Sequence, residues 1–526
     1  MKKILLKFLF NHKIFSYNIG IMTKSTCYSK CRKIPESLCT HEECRYVNGS
    51  QYSYCRLSND YKLDENCIAR KKTRKNTKSM KNTKTIKNLE TVKNLEAAKK
   101  IAKFMERADP TKRRGLFLKS VCSDSGICIA FGKESNKIKE HFDGFTDFKY
   151  VKLPIKRIGK PSENGFVNEI TYENNGYFAN TILKSSAKVD SDNLMFEYLV
   201  GLYINKKCSV FPCFIETYAW YSYINKDAWN NMKMSQYTTY NIFEKNLVLQ
   251  PTNINSPKSM EIGCKKSKFI AILIQHIKNA QSLNDSISNK FFYDNDLLYV
   301  LYQIYMPLAT LAKEFTHYDL HLDNVLVYEP VRGKYLQYYY VRTDGTQISF
   351  KSSYISKIID YGRSFFVDNK KSIVGTSKKI YKAICDIKKC NPDCGTKYGF
   401  SMLEPEKPAG SFYYISSSKR NMSHDLRLLN EVLLNTKYSC KKGELYETIK
   451  KTQYGVGLKQ DVSYGTKEQV VSGLPEKIVN VVDARDALQE LILKMAAQNE
   501  QRYSSMERLG SLYIYENGFN MKFEPL

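Results

Sequence analysis

The apolar periodicity of this 526-residue chain changes once, and that change limits the folds open to it. Short runs rich in β-branched and aromatic residues come first, at Leu153–Ile158, Gly165–Tyr172 and Tyr177–Lys184, and they predict strands. A helix follows, announced by Asp190, Ser191 and Asp192 as capping residues. Its apolar face is Leu194, Met195, Tyr198, Leu199, Leu202 and Tyr203. Further strands are predicted over Val210–Tyr218 and Lys268–Ile277 (KFIAILIQHI). The stretch 221–267 between them reads as a polar, irregular insertion. A long helical pattern then runs through Leu297, Leu301, Ile304, Leu308, Leu311 and Phe315, with Pro307 expected to kink it. Past residue 363 the chain is Lys- and Ser-rich. Helical patterns return at Asp425–Leu434 and Asp483–Ala497. A strand-rich part followed by a helix-rich part predicts an α+β architecture with two lobes.

The chemistry-bearing residues sit where the long helix gives way to the apolar run Val325–Tyr328. Here Thr316-HYDLHLDN concentrates Asp, His and Asn on a short loop. Phosphoryl transfer needs a carboxylate to orient an acceptor hydroxyl and oxygen ligands for Mg²⁺, because catalysis is mostly positioning and charge neutralisation. Asp319 and Asn324 meet both needs. A second acidic site follows at Lys357-Ile-Ile-Asp360-Tyr-Gly362, where an apolar strand delivers Asp360 and Gly362 is expected to permit the turn.

His317-Tyr-Asp319-Leu-His321-x-x-Asn324 resembles the H-R-D-L-K-x-x-N catalytic loop of protein kinases, and Asp360-Tyr361-Gly362 resembles their D-F-G. The resemblance implies that Asp319 is the catalytic base, that His317 is a structural member of the loop, and that Asn324 and Asp360 bind Mg-ATP. It also implies a strand lysine for the phosphates and a helix glutamate to hold it, matched here by Lys184 and Glu197. Ile158-Gly159-Lys-Pro-Ser-Glu-Asn-Gly165-Phe-Val167 resembles the glycine-rich hairpin. Gly159, Gly165 and Val167 match it, the middle glycine is missing, and the N–H groups of 162–164 would face phosphate. Ile272–Ile277 resembles the strand entering the hinge, so Gln275 and Ile277 are expected at the adenine. Ser423-His-Asp425-Leu resembles the start of the helix whose Asp braces the catalytic loop. These matches span residues 150–435. They extend best to the kinase-like proteins of large nucleocytoplasmic DNA viruses, which the long, Tyr-rich hairpin between Asn324 and Asp360 also resembles. The implied fold is α+β and bilobal, a β-rich lobe over 111–277 and a helical lobe over 278–526. The implied activity is Mg²⁺- and ATP-dependent transfer to a protein hydroxyl, in host cytoplasm or virion. Two departures leave the acceptor open. His321 replaces the loop lysine, as in small-molecule kinases with D-L-H, and no clear A-P-E follows.

Ahead of this body lie 1–22, a leader of uncertain role with Met22 as an alternative start, 23–68, which is Cys-rich, and 69–110, a basic linker. Residues 69–100 carry twelve of the 82 Lys and Arg and two Glu. Such a segment stays solvated or meets an anionic surface, nucleic acid included. A vestigial kinase body on a basic, virion- or nucleic-acid-binding protein is the alternative from another class. The apolar run in MKKILLKFLF is split by Lys7, which argues against a secretory signal, and no run is long enough to span a bilayer. Fifteen Cys are present, six of them between 27 and 67. The scattered ones read as reduced core residues. Cys27/Cys31 and Cys39/Cys44 approximate the paired spacing of a structural zinc site, with disulfides as the rival. Cys385, Cys390 and Cys394 form a weaker group. Elemental analysis of the purified full chain is expected to show one zinc per molecule, lost in a Cys27→Ser/Cys31→Ser variant. Zinc-free protein whose thiols react only after reduction would establish disulfides instead.

Overall fold

Contacts divide the chain into two compact units, Met1–Lys103 and Phe104–Leu526. The computed structural model describes the strands Cys44–Asn48 and Ser53–Leu57, scattered positions from 115 to 133, and nearly all of the chain from Glu134 outside 187–193, 252–268, most of 369–399, 404–411, most of 437–442 and 455–475. In the first unit, β1 (Cys44–Asn48) and β2 (Ser53–Leu57) form an antiparallel hairpin with Cys44 opposite Leu57. Cys27, Cys31 and Cys39 lie outside the described residues, as do 69–110 and Cys385, Cys390 and Cys394.

The second unit is a mixed α/β structure with a curled antiparallel sheet. Its strands are β3 (Val151–Ser162), β4 (Gly165–Asn174), β5 (Tyr177–Ser185), β6 (Thr217–Tyr223), β7 (Tyr237–Thr238), β8 (Leu247–Leu249) and β9 (Ile270–Gln275), in the order β7-β3-β4-β5-β9-β6-β8. Residues on a strand alternate between faces, and β9 shows why its sequence is continuously apolar. Ile270, Ile272 and Ile274 join the main core, while Ala271 and Leu273 join a second core on the opposite face. That second core packs Phe142 and Phe145, which follow helix α1 (Glu134–His141), against Tyr172 and Leu183.

Helix α2 (Leu194–Cys208) covers the main-core face. It approaches β6 closely at Gly201, where a Cβ would collide with the Thr217 side chain. Asn205 locks the contact reciprocally. Its amide donates to the Thr217 carbonyl (2.6 Å) and its oxygen accepts the Thr217 N–H (2.8 Å).

Several expectations need correction. The strand expected at Val210–Tyr218 begins only at Thr217. Pro212 has no N–H to give a ladder, and Val210–Ile215 instead buries Phe211, Cys213, Phe214 and Ile215 as a plug. The insertion 221–267 is not irregular in its first half. Helix α3 (Lys226–Met234) starts on the Asn225 side chain, which accepts the Ala228 N–H at 2.8 Å, and buries Trp229 and Met232. Pro307 does not interrupt helix α4 (Leu297–Thr310), which continues through it and ends at Thr310, short of Phe315. So close to the end, proline forfeits little more than one intrahelical bond. Cys122 and Cys128 are not reduced core thiols, because they face one another across an antiparallel bridge and form a disulfide.

Strands β10 (Gln281–Ser282), β11 (Phe315–Thr316), β12 (Val325–Tyr328), β13 (Lys334–Val341), β14 (Gln347–Ser352), β15 (Ile355–Ile358) and β16 (Phe365–Phe366) show that the part after residue 278 is far from purely helical. The Tyr-rich hairpin expected between Asn324 and Asp360 is β13–β14. It is extended by two strands that the sequence reading lacked, Glu507–Tyr515, parallel to β13, and Lys522–Pro525. Helices α5 (Arg427–Asn435) and α6 (Val481–Lys494) match the last two helical patterns. Among the described residues, no helix is long and apolar enough to cross a membrane.

The Gly201–Thr217 contact can be checked directly. Gly201→Ala is expected to lower unfolding stability by about 1–3 kcal/mol, the range for overpacking a filled core, read from urea denaturation. A neutral change would show that α2 and β6 are not in close contact.

Candidate active site

The site is assembled by strand pairing. Pairing of β12 with β15 sets Val325 opposite Ile358. This brings Asn324 and Asp360 to the same end of the pair, and the Ile359 N–H donates to the Asn324 carbonyl at 3.0 Å. The loop 316–324 is held from below by Asp425, just before α5. Its carboxylate accepts the N–H groups of His317 (2.7 Å) and Tyr318 (2.9 Å). Burial pushes Asp425 up to about 7 even though these two bonds pull it down.

His317 is fully buried. Its Nε2 donates to the Ile359 carbonyl (3.0 Å), and its Nδ1 accepts the Asp319 N–H (3.2 Å). That pattern assigns the neutral tautomer. Burial lowers its pKa to about 4, against the pull of Asp319 and Asp360. The Asn324 amide donates to the Asp319 carbonyl at 2.8 Å, so its side-chain oxygen faces away from that bond. His321 Nδ1 accepts the Asp323 N–H (3.3 Å) and caps the short 3₁₀ turn Leu322–Asn324.

On the sheet, β5 presents Lys184, whose Nζ meets Glu197 of α2 at 2.7 and 2.9 Å and Asp360 at 3.2 Å. Burial alone would lower the Lys184 pKa, but the Asp360 and Glu197 carboxylates hold it well above the usual lysine range. Burial pushes Glu197 up to about 7, opposed by Lys184. For Asp360 the Lys184 charge and hydrogen bond overcome the effect of burial and hold the carboxyl below its usual range. Its side chain remains 43% exposed, so it is the carboxylate of the trio that faces outward. Tyr361 holds the turn from the other side. Its hydroxyl donates to the Ile358 carbonyl (2.8 Å) and accepts the Ile215 N–H (3.0 Å). The turn's positive φ falls on Asp360 (65°) rather than on Gly362, where the sequence had placed the flexibility.

Val167 pairs with Lys184 across β4–β5 and with Ile158 across β3–β4, so the three share one face of the sheet. Gly159 lies in β3, and Gly165 (φ 145°) opens β4 opposite Ser162. Residues 163 and 164 at the tip lie outside the described residues. A Cβ at Gly165 would collide with the Ser185 carbonyl, so this glycine has a steric reason. Gln275 and Ile277 are less simply placed. The Gln275 N–H donates to the Glu216 carbonyl (2.8 Å). Both residues line a cavity of about 150 Å³ with Phe145, Tyr218 and Tyr328. None of Lys184, Glu197, Asp319, Asn324 or Asp360 lines it, so this cavity is not the carboxylate site.

The sequence reading missed Arg427, Arg363 and Glu431. Arg427 Nη1 is 2.9 Å from Asp319 Oδ1 and Arg363 Nη1 is 3.7 Å from it. The signal available was Arg427 and Glu431 spaced four apart on the helix that follows Asp425. Among the described residues, no cluster of three or more His, Cys, Asp or Glu has a metal-binding arrangement.

No protein-family model matches the chain, and no curated protein matches it. Among solved structures it is similar to the crystal structure of PF14_0431, kinase domain, with a TM-score of 0.22 and 15% identity. That likeness covers 46% of this chain and 60% of the matched one.

The buried neutral His317 gives a pH test. Its folded pKa is depressed, so the unfolded chain binds the extra proton between about 4 and 6.5. The stability owed to a neutral His317 is full above that window and is lost as pH falls through it. His317→Asn is expected to destabilise at pH 7. The deficit should shrink by up to about 1.4 kcal/mol per pH unit toward pH 4, read from denaturation at each pH. A constant deficit would mean that His317 is not buried as a neutral ring.

Proposed function

We propose that this chain is an ATP-dependent phosphotransferase of the protein-kinase-like, bilobal kind. The observation that carries the reading is the ion-pair trio Lys184–Glu197–Asp360. A strand lysine held by a helix glutamate, next to an aspartate that follows a strand, is the arrangement kinases require for activity. Strand pairing sets that aspartate beside Asn324, at the end of the loop that carries Asp319. All five residues are present in one region.

The trio has two carboxylates for one ammonium, so it carries spare negative charge. Asp360, partly exposed, and the side-chain oxygen of Asn324 form a hard-oxygen donor set that fits Mg²⁺. Bound there, the ion would neutralise phosphate charge. Lys184 would hold the phosphates, with Val167 and Ile158 as the apolar roof over the nucleotide. Asp319 would orient an acceptor hydroxyl. As that oxygen bonds to the γ-phosphorus, its proton passes to Asp319, the bond from phosphorus to the β,γ-bridging oxygen breaks, and ADP leaves.

A protein Ser/Thr acceptor is our first assignment. A small-molecule acceptor is the second, and it is favoured by His321, which caps its own turn where protein kinases place lysine. Purified chain is expected to transfer γ-phosphate from ATP to acidic or basic test proteins only with Mg²⁺. Asp319→Ala and Lys184→Met should each reduce the rate by about 10²–10⁴-fold, the range for losing a positioned catalytic group. Equal labelling by wild type and Asp319→Ala would reject the reading.

A further inference from the structure

Helix α5 and the residues before it reach the 316–324 loop through three side chains. Asp425 holds the loop backbone. Glu431 accepts the Leu322 N–H at 3.1 Å through one carboxylate oxygen, and Arg427 Nε at 2.9 Å through the other. Arg427 then extends Nη1 to Asp319 Oδ1 at 2.9 Å. Its guanidinium is thus fixed between two carboxylates, with one charge-assisted bond to each. The side chains of Arg427, Asp319 and Glu431 are each about four-fifths shielded from solvent, which strengthens both ion pairs over their worth on an open surface.

Three basic side chains approach Asp319, all on the same oxygen. Arg363 Nη1 stands at 3.7 Å and His321 Nε2 at 4.0 Å from Oδ1, both beyond hydrogen-bond length. Only Arg427 makes the bond. Among the described residues, Asp319 Oδ2 has no hydrogen-bond partner. Occupation of Oδ1 therefore decides which oxygen is left to accept a proton.

We propose that Arg427 is the positioning residue for Asp319. It supplies from helix α5 the cation that the loop lacks at position 321, and it leaves Oδ2 as the basic oxygen. The inference rests on the reading of Asp319 as the base. His321, free of positioning Asp319, caps the 3₁₀ turn instead.

Steady-state γ-phosphate transfer by the full chain tests this, with Arg427→Met, Arg427→Gln, His321→Lys and the Arg427→Met/His321→Lys pair beside wild type and Asp319→Ala. Arg427→Met is expected to lower kcat by about 10–100-fold, the scale of a misplaced catalytic group, with KM for ATP within about twofold. Lysine at 321 should return at least about tenfold of that loss, a rescue that a merely structural arginine would not allow. Arg427→Gln, which keeps a donor toward Glu431 but is too short to reach Asp319 and carries no charge, should lose as much kcat as Arg427→Met. Asp319-dependent activity with Arg427→Met near wild type, or a folded Arg427→Met that lysine at 321 does not help, overturns the assignment and leaves the phosphotransferase reading standing. Loss of folding in both Arg427 variants would assign the residue to stability and overturn it as well. A wild type without Asp319-dependent transfer overturns both.

Discussion

A single buried carboxylate holds the shape of the loop 316–324 at the candidate site. Asp425 takes the N–H groups of both His317 and Tyr318. Two consecutive N–H groups converge on one acceptor only if the backbone turns sharply, and Tyr318 does so with φ at 66°. For a bulky side chain that conformation costs about 1–3 kcal/mol. Each intramolecular hydrogen bond contributes about 0.5–1.5 kcal/mol net, so the two together are of the size needed to offset the strain. The Tyr318 hydroxyl adds a further bond to the Lys419 carbonyl at 2.6 Å. The turn fixes the backbone at His317 and Asp319, and side-chain bonds then aim them: the His317 ring through Ile359 and the Asp319 N–H, the Asp319 carboxylate through Arg427.

At the site a further residue with positive φ is Asp360, at 65°. Its carboxylate is held by Lys184 and its neighbour Tyr361 is pinned through the hydroxyl to Ile358 and Ile215. Ile215 belongs to the plug between α2 and β6, and Glu197 belongs to α2 itself. The turn is therefore referenced to the same helix from two directions. Movement of α2 would disturb the Lys184 pair and the Tyr361 bond together. The close approach at Gly201 and the reciprocal Asn205–Thr217 bonds oppose such movement.

Much of this was legible in the sequence where local signals and tertiary structure agree. β3, β4, β5 and β9 follow alternation or apolar runs, and α2 forms where a helix was expected, although it is buried on nearly all sides rather than along one stripe. Lys184 and Glu197, thirteen residues apart, could be paired in advance because the kinase resemblance implies a strand lysine held by a helix glutamate, and Glu197 does lie in the first turn of α2. The failures have physical causes. Trp229 and Met232 sit in a stretch whose average polarity hides one short amphipathic helix. Pro212 breaks a ladder that the apolar residues around it seemed to promise. The strand Glu507–Tyr515 pairs in parallel with β13 across more than 160 residues of sequence, and no local pattern announces a partner so far away. Gln275 was expected at the adenine, but its N–H is taken by the Glu216 carbonyl.

Arg427 was missed for a different reason. A lysine in the loop at position 321 would have been read at once, because loop motifs are read by local spacing. Here the cation comes from a residue 108 positions from its partner. Its sequence surroundings, an Arg and a Glu four apart on a helix, describe an ordinary surface pair worth a few tenths of a kcal/mol. What makes the pair consequential is Asp425, which brings the helix start against the loop, so that one guanidinium spans Glu431 and Asp319. The function of a side chain on α5 is thus set by the carboxylate two residues before it. A motif search confined to the loop would find a histidine out of place and miss the arginine that stands in for the lysine.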